Sequence, residues 1–232
     1  MPPRRVLLLA LVPACTTLDD PASGKPANCG RDPVCLKVQD ALEVVRGNIG
    51  GRSGTPDNIA RLDILEVGPP AISHLARALH DPSPEVAAFA AERLVDLDAR
   101  DRADTWCAAS NNPACPAIRA HADSLVGLDV AGAWSGYRNS MREEDAGFTE
   151  HTLALTLTRA GKRLRGQLCV EPHGCLPLDH AEFAGARLAL EYTTPAGRET
   201  MTLMLEDGDL LGRGTVAGCP DCLVGVELNR KP

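Results

Sequence analysis

Nine cysteines are the residues of this chain best placed to do chemistry, and their spacing narrows what that chemistry is. Eight fall into four sequence-local couples: Cys29 with Cys35, Cys107 with Cys115, Cys169 with Cys175, and Cys219 with Cys222. Such couples form disulfides, hold a metal or exchange thiols. Cys219-Pro220-Asp221-Cys222 has the spacing of an exchange motif. Thiol exchange favours a first cysteine at a helix N-terminus, where the dipole lowers its pKa. Here the motif lies between two strand-like patterns, which favours a bridge across a hairpin. Cys169, Cys175, Cys219 and Cys222 with His173 make a zinc set only if the two couples meet in space. Neighbour pairing is the simplest expectation, and each bridge then closes a short loop. Cys15 is left without a couple.

Other reactive patterns are missing from the sequence. There is no Gly-x-Ser-x-Gly turn for a nucleophilic serine. The glycine-rich stretch from Gly47 to Gly54 lacks the Gly-Lys-Ser/Thr of a phosphate loop. The histidines are scattered: His74 and His80 are off register on a helix, and His121 sits on a helix face as a packing residue. Glu143-Glu144-Asp145 reads as a solvated loop. No general acid–base pair emerges, so the chain reads as non-enzymatic, with no cofactor and no metal. Its formal charge is −7 and no Lys/Arg stripe interrupts the acidity, which argues against nucleic acid as a partner.

The start of the chain explains Cys15. Arg4 and Arg5 precede an apolar run from Val6 to Ala14. A membrane-spanning helix needs ~20 residues, whereas this run has the length of an export-signal core. Together with Val12-Pro13-Ala14-Cys15 it resembles a bacterial lipoprotein signal peptide, although Pro13 departs from that family's usual lipobox. An ordinary secretory signal cut after Ala14 is the alternative. The resemblance implies a signal peptide over 1–14 and a membrane anchor of acyl chains on Cys15. It places the protein in the bacterial cell envelope. Thr16 in place of Asp after the cysteine resembles the sorting pattern for the outer membrane, facing the periplasm or the cell surface. Export also implies an oxidising compartment, where Cys29, Cys35, Cys107, Cys115, Cys169, Cys175, Cys219 and Cys222 pair as disulfides. Residues 15–33, rich in Pro and Gly, read as the lipidated cysteine and a flexible tether.

Two folded parts follow. Over 34–127 the apolar residues keep a helical period: Leu36 to Val45, Ile59 to Leu65, Ile72 to Leu79, Val86 to Val95, a helix with Trp106 and Cys107, and Ile118 to Leu125. Thr55-Pro56-Asp57 is a helix start, and Asp81-Pro82-Ser83-Pro84 is a turn separating two helices. The stretch from Val67 to Leu97, with its Gly-Pro entry and alanine-rich second helix, resembles a HEAT-like repeat. That resemblance implies a scaffold surface for another envelope protein; an ordinary helical bundle is the competing reading.

Over 128–232 the period changes to two. Strands are expected over Ala133–Arg138, His151–Arg159, Leu164–Val170, Leu188–Tyr192, Met201–Leu205, Gly212–Val216 and Val224–Leu228. An apolar and a polar face on six to eight such strands is the pattern of an antiparallel up-and-down meander closing into a small β-barrel. Gly132-Ala133-Trp134 is similar to the opening of lipocalin-like and avidin-like barrels, with Trp134 plugging the floor. The fold class is therefore two domains, all-α then all-β. The sequence favours a lipid-anchored, non-enzymatic scaffold. Its alternatives are a barrel holding a small lipophilic ligand, with Gly166, Gly212 and Gly214 leaving room for it, and a Cys219/Cys222 thiol–disulfide enzyme.

Overall fold

A computed structural model describes residues 29–49, 55–142, 148–161, 163–219 and 222–231. The expected leader, Cys15, most of the tether and the Glu143–Asp145 run lie outside the described residues.

Six α-helices make up the N-terminal part among the described residues: α1 (Pro33–Asn48), α2 (Thr55–Val67), α3 (Ile72–Ala78), α4 (Pro84–Asp96), α5 (Arg100–Ala109) and α6 (Cys115–Ser124). Their starts follow from local chemistry. Asp32 accepts hydrogen bonds from the N–H groups of Val34 and Cys35, and Pro33 occupies the first turn, where its missing N–H costs nothing. Ser83 and Pro84 do the same for α4. Val38, Ala41, Leu42 and Val45 form the buried stripe of α1. The fourth helix is central and packs against all five others. Its Ala87, Ala90 and Ala91 are buried, and their small side chains let neighbouring helices come close.

The C-terminal part is a closed barrel of eight antiparallel strands: β1 (Gly132–Arg142), β2 (Phe148–Ala160), β3 (Arg163–Val170), β4 (Gly174–Ala184), β5 (Arg187–Thr194), β6 (Gly197–Glu206), β7 (Asp209–Gly214) and β8 (Cys222–Arg230). Each strand pairs with the next, and β1 pairs with β8 to close the ring. Inward positions alternate as the pleat requires: Leu153, Leu155 and Leu157 on β2, and Leu188, Leu190 and Tyr192 on β5, are all buried. Closure leaves few free strand edges.

The sequence pattern does not announce β4. Pro177 cannot donate to a ladder, and the pairing of β3 with β4 runs only from Val170–Gly174 to Gln167–Pro177. The β4–β5 register then shifts between Leu178 and His180. The bulge breaks the alternation that marks the other strands.

Trp134 closes the barrel floor. Its indole N–H donates to Val130 O at 2.9 Å, and the Arg230 guanidinium lies 5.0 Å from its ring centroid. Arg230 also donates to the carbonyls of Asp129 and Ala131. The ring is thus held by packing, a cation–π contact and one hydrogen bond.

Candidate functional site

A buried carboxylate sits where the helices meet the barrel. Asp96 ends α4 and its side chain is wholly buried. Arg61 from α2 grips it with two bonds, Nε to Oδ2 at 3.1 Å and Nη2 to Oδ1 at 3.2 Å. His121 from α6 places Nε2 2.8 Å from Oδ1. Arg93, one turn earlier on α4, has Nε 2.9 Å from Oδ2 but off the hydrogen-bonding direction. Burial by itself pushes a carboxyl pKa up. The Arg93 charge, the His121 hydrogen bond and the Arg61 charge outweigh it and hold Asp96 at about 2.

The same residue joins the two domains through its backbone. Ala186 N, in the β4–β5 turn, donates to Asp96 O at 3.0 Å. Gly185 beside it has φ +61°, and a Cβ there would fall 2.2 Å from Asp96 O. Glycine is required at this contact for its conformation and for its lack of bulk. Ala186 and Met204 of the barrel are buried within the helical core. Arg187 donates to Leu65 O at 2.7 Å, Arg213 pairs with Asp63, and Arg61 reaches Glu206 at 3.2 Å.

Beside this junction lies a crevice of about 720 Å³. One wall is α6 and the turn after it, with His121, Ser124, Leu125 and Leu128; Arg61 adds to it from α2. The other wall is the barrel floor, with Trp134, Leu205, Glu206, Asp207 and Arg230.

A second buried polar group sits inside the barrel, away from the helices. Arg138 and Glu199 occupy inward positions, almost fully buried. Arg138 Nη1 donates to Glu199 Oε2 at 2.8 Å, and the Tyr192 hydroxyl donates to the same oxygen at 2.8 Å. Ala217 N donates to the other oxygen at 3.2 Å, tying the β7–β8 loop to the interior. Burial opposes ionisation of Glu199, but the hydrogen bonds from Tyr192, Arg138 and Ala217 bring its pKa below the usual value. Burial and the bond to Glu199 push the Tyr192 phenol up.

The four cysteine couples each lie at disulfide-bonding distance. Cys29–Cys35 sits at the start of α1, Cys107–Cys115 links α5 to α6, and Cys169–Cys175 lies across the β3–β4 hairpin. Cys219–Cys222 spans the end of the β7–β8 loop, not a helix N-terminus. Among the described residues no three His, Cys, Asp or Glu side chains gather as a metal set.

The inward glycines do not open the barrel. A Cβ on Gly166 would fall 2.0 Å from Thr156 O, and one on Gly212 would fall 2.1 Å from Thr202 O. On Gly214 it would lie 3.0 Å from Thr200 O. Neighbouring backbone already fills the space, so these glycines serve close strand approach and not ligand room.

Sequence reading missed Asp96, Arg61, Arg138 and Glu199. Asp96 and Arg61 are 35 residues apart, a separation that only folding bridges. Arg138 and Glu199 did leave a signal: counting by twos from Trp134 and back from Met201 puts each on an inward face.

No protein-family model matches the chain, and no curated protein does. Among solved structures, that of a mutant of the fluorescent protein UnaG is similar at 13% sequence identity. The likeness covers 44% of this chain and 96% of that one, with a TM-score of 0.28.

Proposed function

We propose that this chain is a lipid-anchored, non-enzymatic protein of the bacterial envelope that presents its helical domain to another envelope protein. One observation carries the partner reading. Six large apolar side chains stand exposed among the described residues: Leu36, Val44, Ile49, Ile59, Val126 and Tyr137. The first four lie on or beside α1 and α2, the helical pair nearest the proposed tether. Exposed apolar side chains that gather into a contiguous patch mark interaction sites, and the substitutions below test whether these act as one. The resemblance of 67–97 to a HEAT-like repeat supports the same role, and the four couples at bonding distance support export. Intact-mass spectrometry of protein from host membranes is expected to show acylated Cys15 and no free thiol. Crosslinked envelopes are expected to yield a partner with the native chain and to lose it with Leu36→Glu and Ile59→Glu. Recovery of the bait alone from the native chain overturns the scaffold role.

A second reading has its own support. The closed barrel turns Leu, Val, Met and Tyr side chains inward beside the Arg138–Glu199 pair, and a small lipophilic ligand is the class such an apolar interior favours. Extraction of native protein and mass analysis of what it releases tests this; an empty extract removes it.

A further inference from the structure

We infer that the crevice between α6 and the barrel floor binds a small organic amine carried on an apolar body, with His121 Nδ1 and the Asp207 carboxylate as its acceptors. The site is separate from the exposed face of α1 and α2 and from the barrel interior. Its volume, about 720 Å³, falls within the ~300–1,000 Å³ of small-molecule sites, which favour domain junctions.

The chemistry of the walls selects the ligand. Asp96 is buried and ionised, and an ionised carboxylate only accepts hydrogen bonds. His121 Nε2, 2.8 Å from Asp96 Oδ1, therefore carries the hydrogen. The tautomer that donates from Nε2 leaves Nδ1 as an acceptor, and no donor among the described residues reaches it. Asp96 fixes the orientation of the ring, so this acceptor is positioned before any ligand arrives.

The cations on the walls are already committed. Arg61 bonds Asp96 and Glu206. Arg230 bonds two backbone carbonyls and lies over Trp134. Asp207, at the β6–β7 turn, is exposed and has no partner among the described residues. Glu206 uses only Oε1. What remains unsatisfied is a set of acceptors with negative charge, so a ligand must supply donors and positive charge. An anion meets no free guanidinium here. Leu125, Leu128, Leu205 and Trp134 supply the apolar part of the lining.

Trp134 makes the site readable. The chain has two tryptophans, so Trp106→Phe leaves Trp134 as the sole donor of indole fluorescence. The full chain in detergent is titrated with dansylcadaverine, a primary amine on an apolar fluorophore, and with dansylamide, which lacks the amine chain. Saturable energy transfer from Trp134 to dansylcadaverine is expected, with binding about tenfold weaker for dansylamide. His121→Phe and Asp207→Asn are each expected to weaken dansylcadaverine about tenfold. Asp207 has φ +52°, a conformation Asn tolerates, so that variant keeps its turn. Leu128→Arg, which puts a cation in the crevice, is expected to abolish transfer. Absence of saturable transfer, equal affinity for the two probes, or transfer unchanged in Leu128→Arg overturns the inference. So does unchanged affinity in Asp207→Asn, which keeps the test decisive if His121→Phe fails to fold.

Discussion

Asp96 concentrates the physics of this molecule in one side chain. A wholly buried carboxylate survives only because two guanidiniums and an imidazole surround it. Asp96→Ala removes the buried counter-charge of Arg61 and Arg93 and leaves them only the more exposed Glu206 and Glu92. The expected loss is about 3–5 kcal/mol in urea unfolding. The carboxyl is held at about 2 against an ordinary value of 3.8. Its folded pKa is the lower one, so the unfolded chain takes up the proton first as pH falls. The stabilisation is therefore full above the ordinary value and fades as pH drops toward 2. Urea midpoints measured across that window are expected to fall in the native chain and to stay flatter in Asp96→Asn. Nothing in the local sequence singles out Asp96, because its partners come from α2, α4 and α6.

The elements were more legible than the side chains. Helical periodicity located five of the six described helices through their buried stripes, and α5 was expected around Trp106 and Cys107 without one. Thr55-Pro56-Asp57 marked the start of α2 and Asp81-Pro82-Ser83-Pro84 the break before α4, whereas the Asp32 cap and Pro33 of α1 lay in the stretch read as tether. Seven of the eight strands showed an alternation of two, whereas Pro177 and the bulge after Leu178 hid β4. The β4–β5 turn bears the contact that joins barrel to helices, and it tests that role directly. Gly185→Ala places a side chain at positive φ and against Asp96 O. It is expected to cost at least about 2 kcal/mol, read as a lowered urea midpoint. A turn that merely reverses the chain in solvent would lose only the conformational part.

The whole molecule is two folds sharing a polar and apolar junction. Ala186 and Met204 belong to the helical core although the barrel carries them, and Arg61, Arg187 and Arg213 cross the same boundary. Unfolding is therefore expected as one transition, with helical circular dichroism and Trp134 fluorescence changing together. Separate transitions would show that the junction does not couple the domains. The sequence by itself determined the helical and strand halves, the inward faces and the close pairing of cysteines, because these depend on periodicity and short separations. Only the tertiary structure decided that Asp96 meets Arg61 and His121, that glycines serve close strand approach, and that a crevice forms between the halves. Those outcomes depend on distances between residues far apart in the chain, which no local pattern encodes.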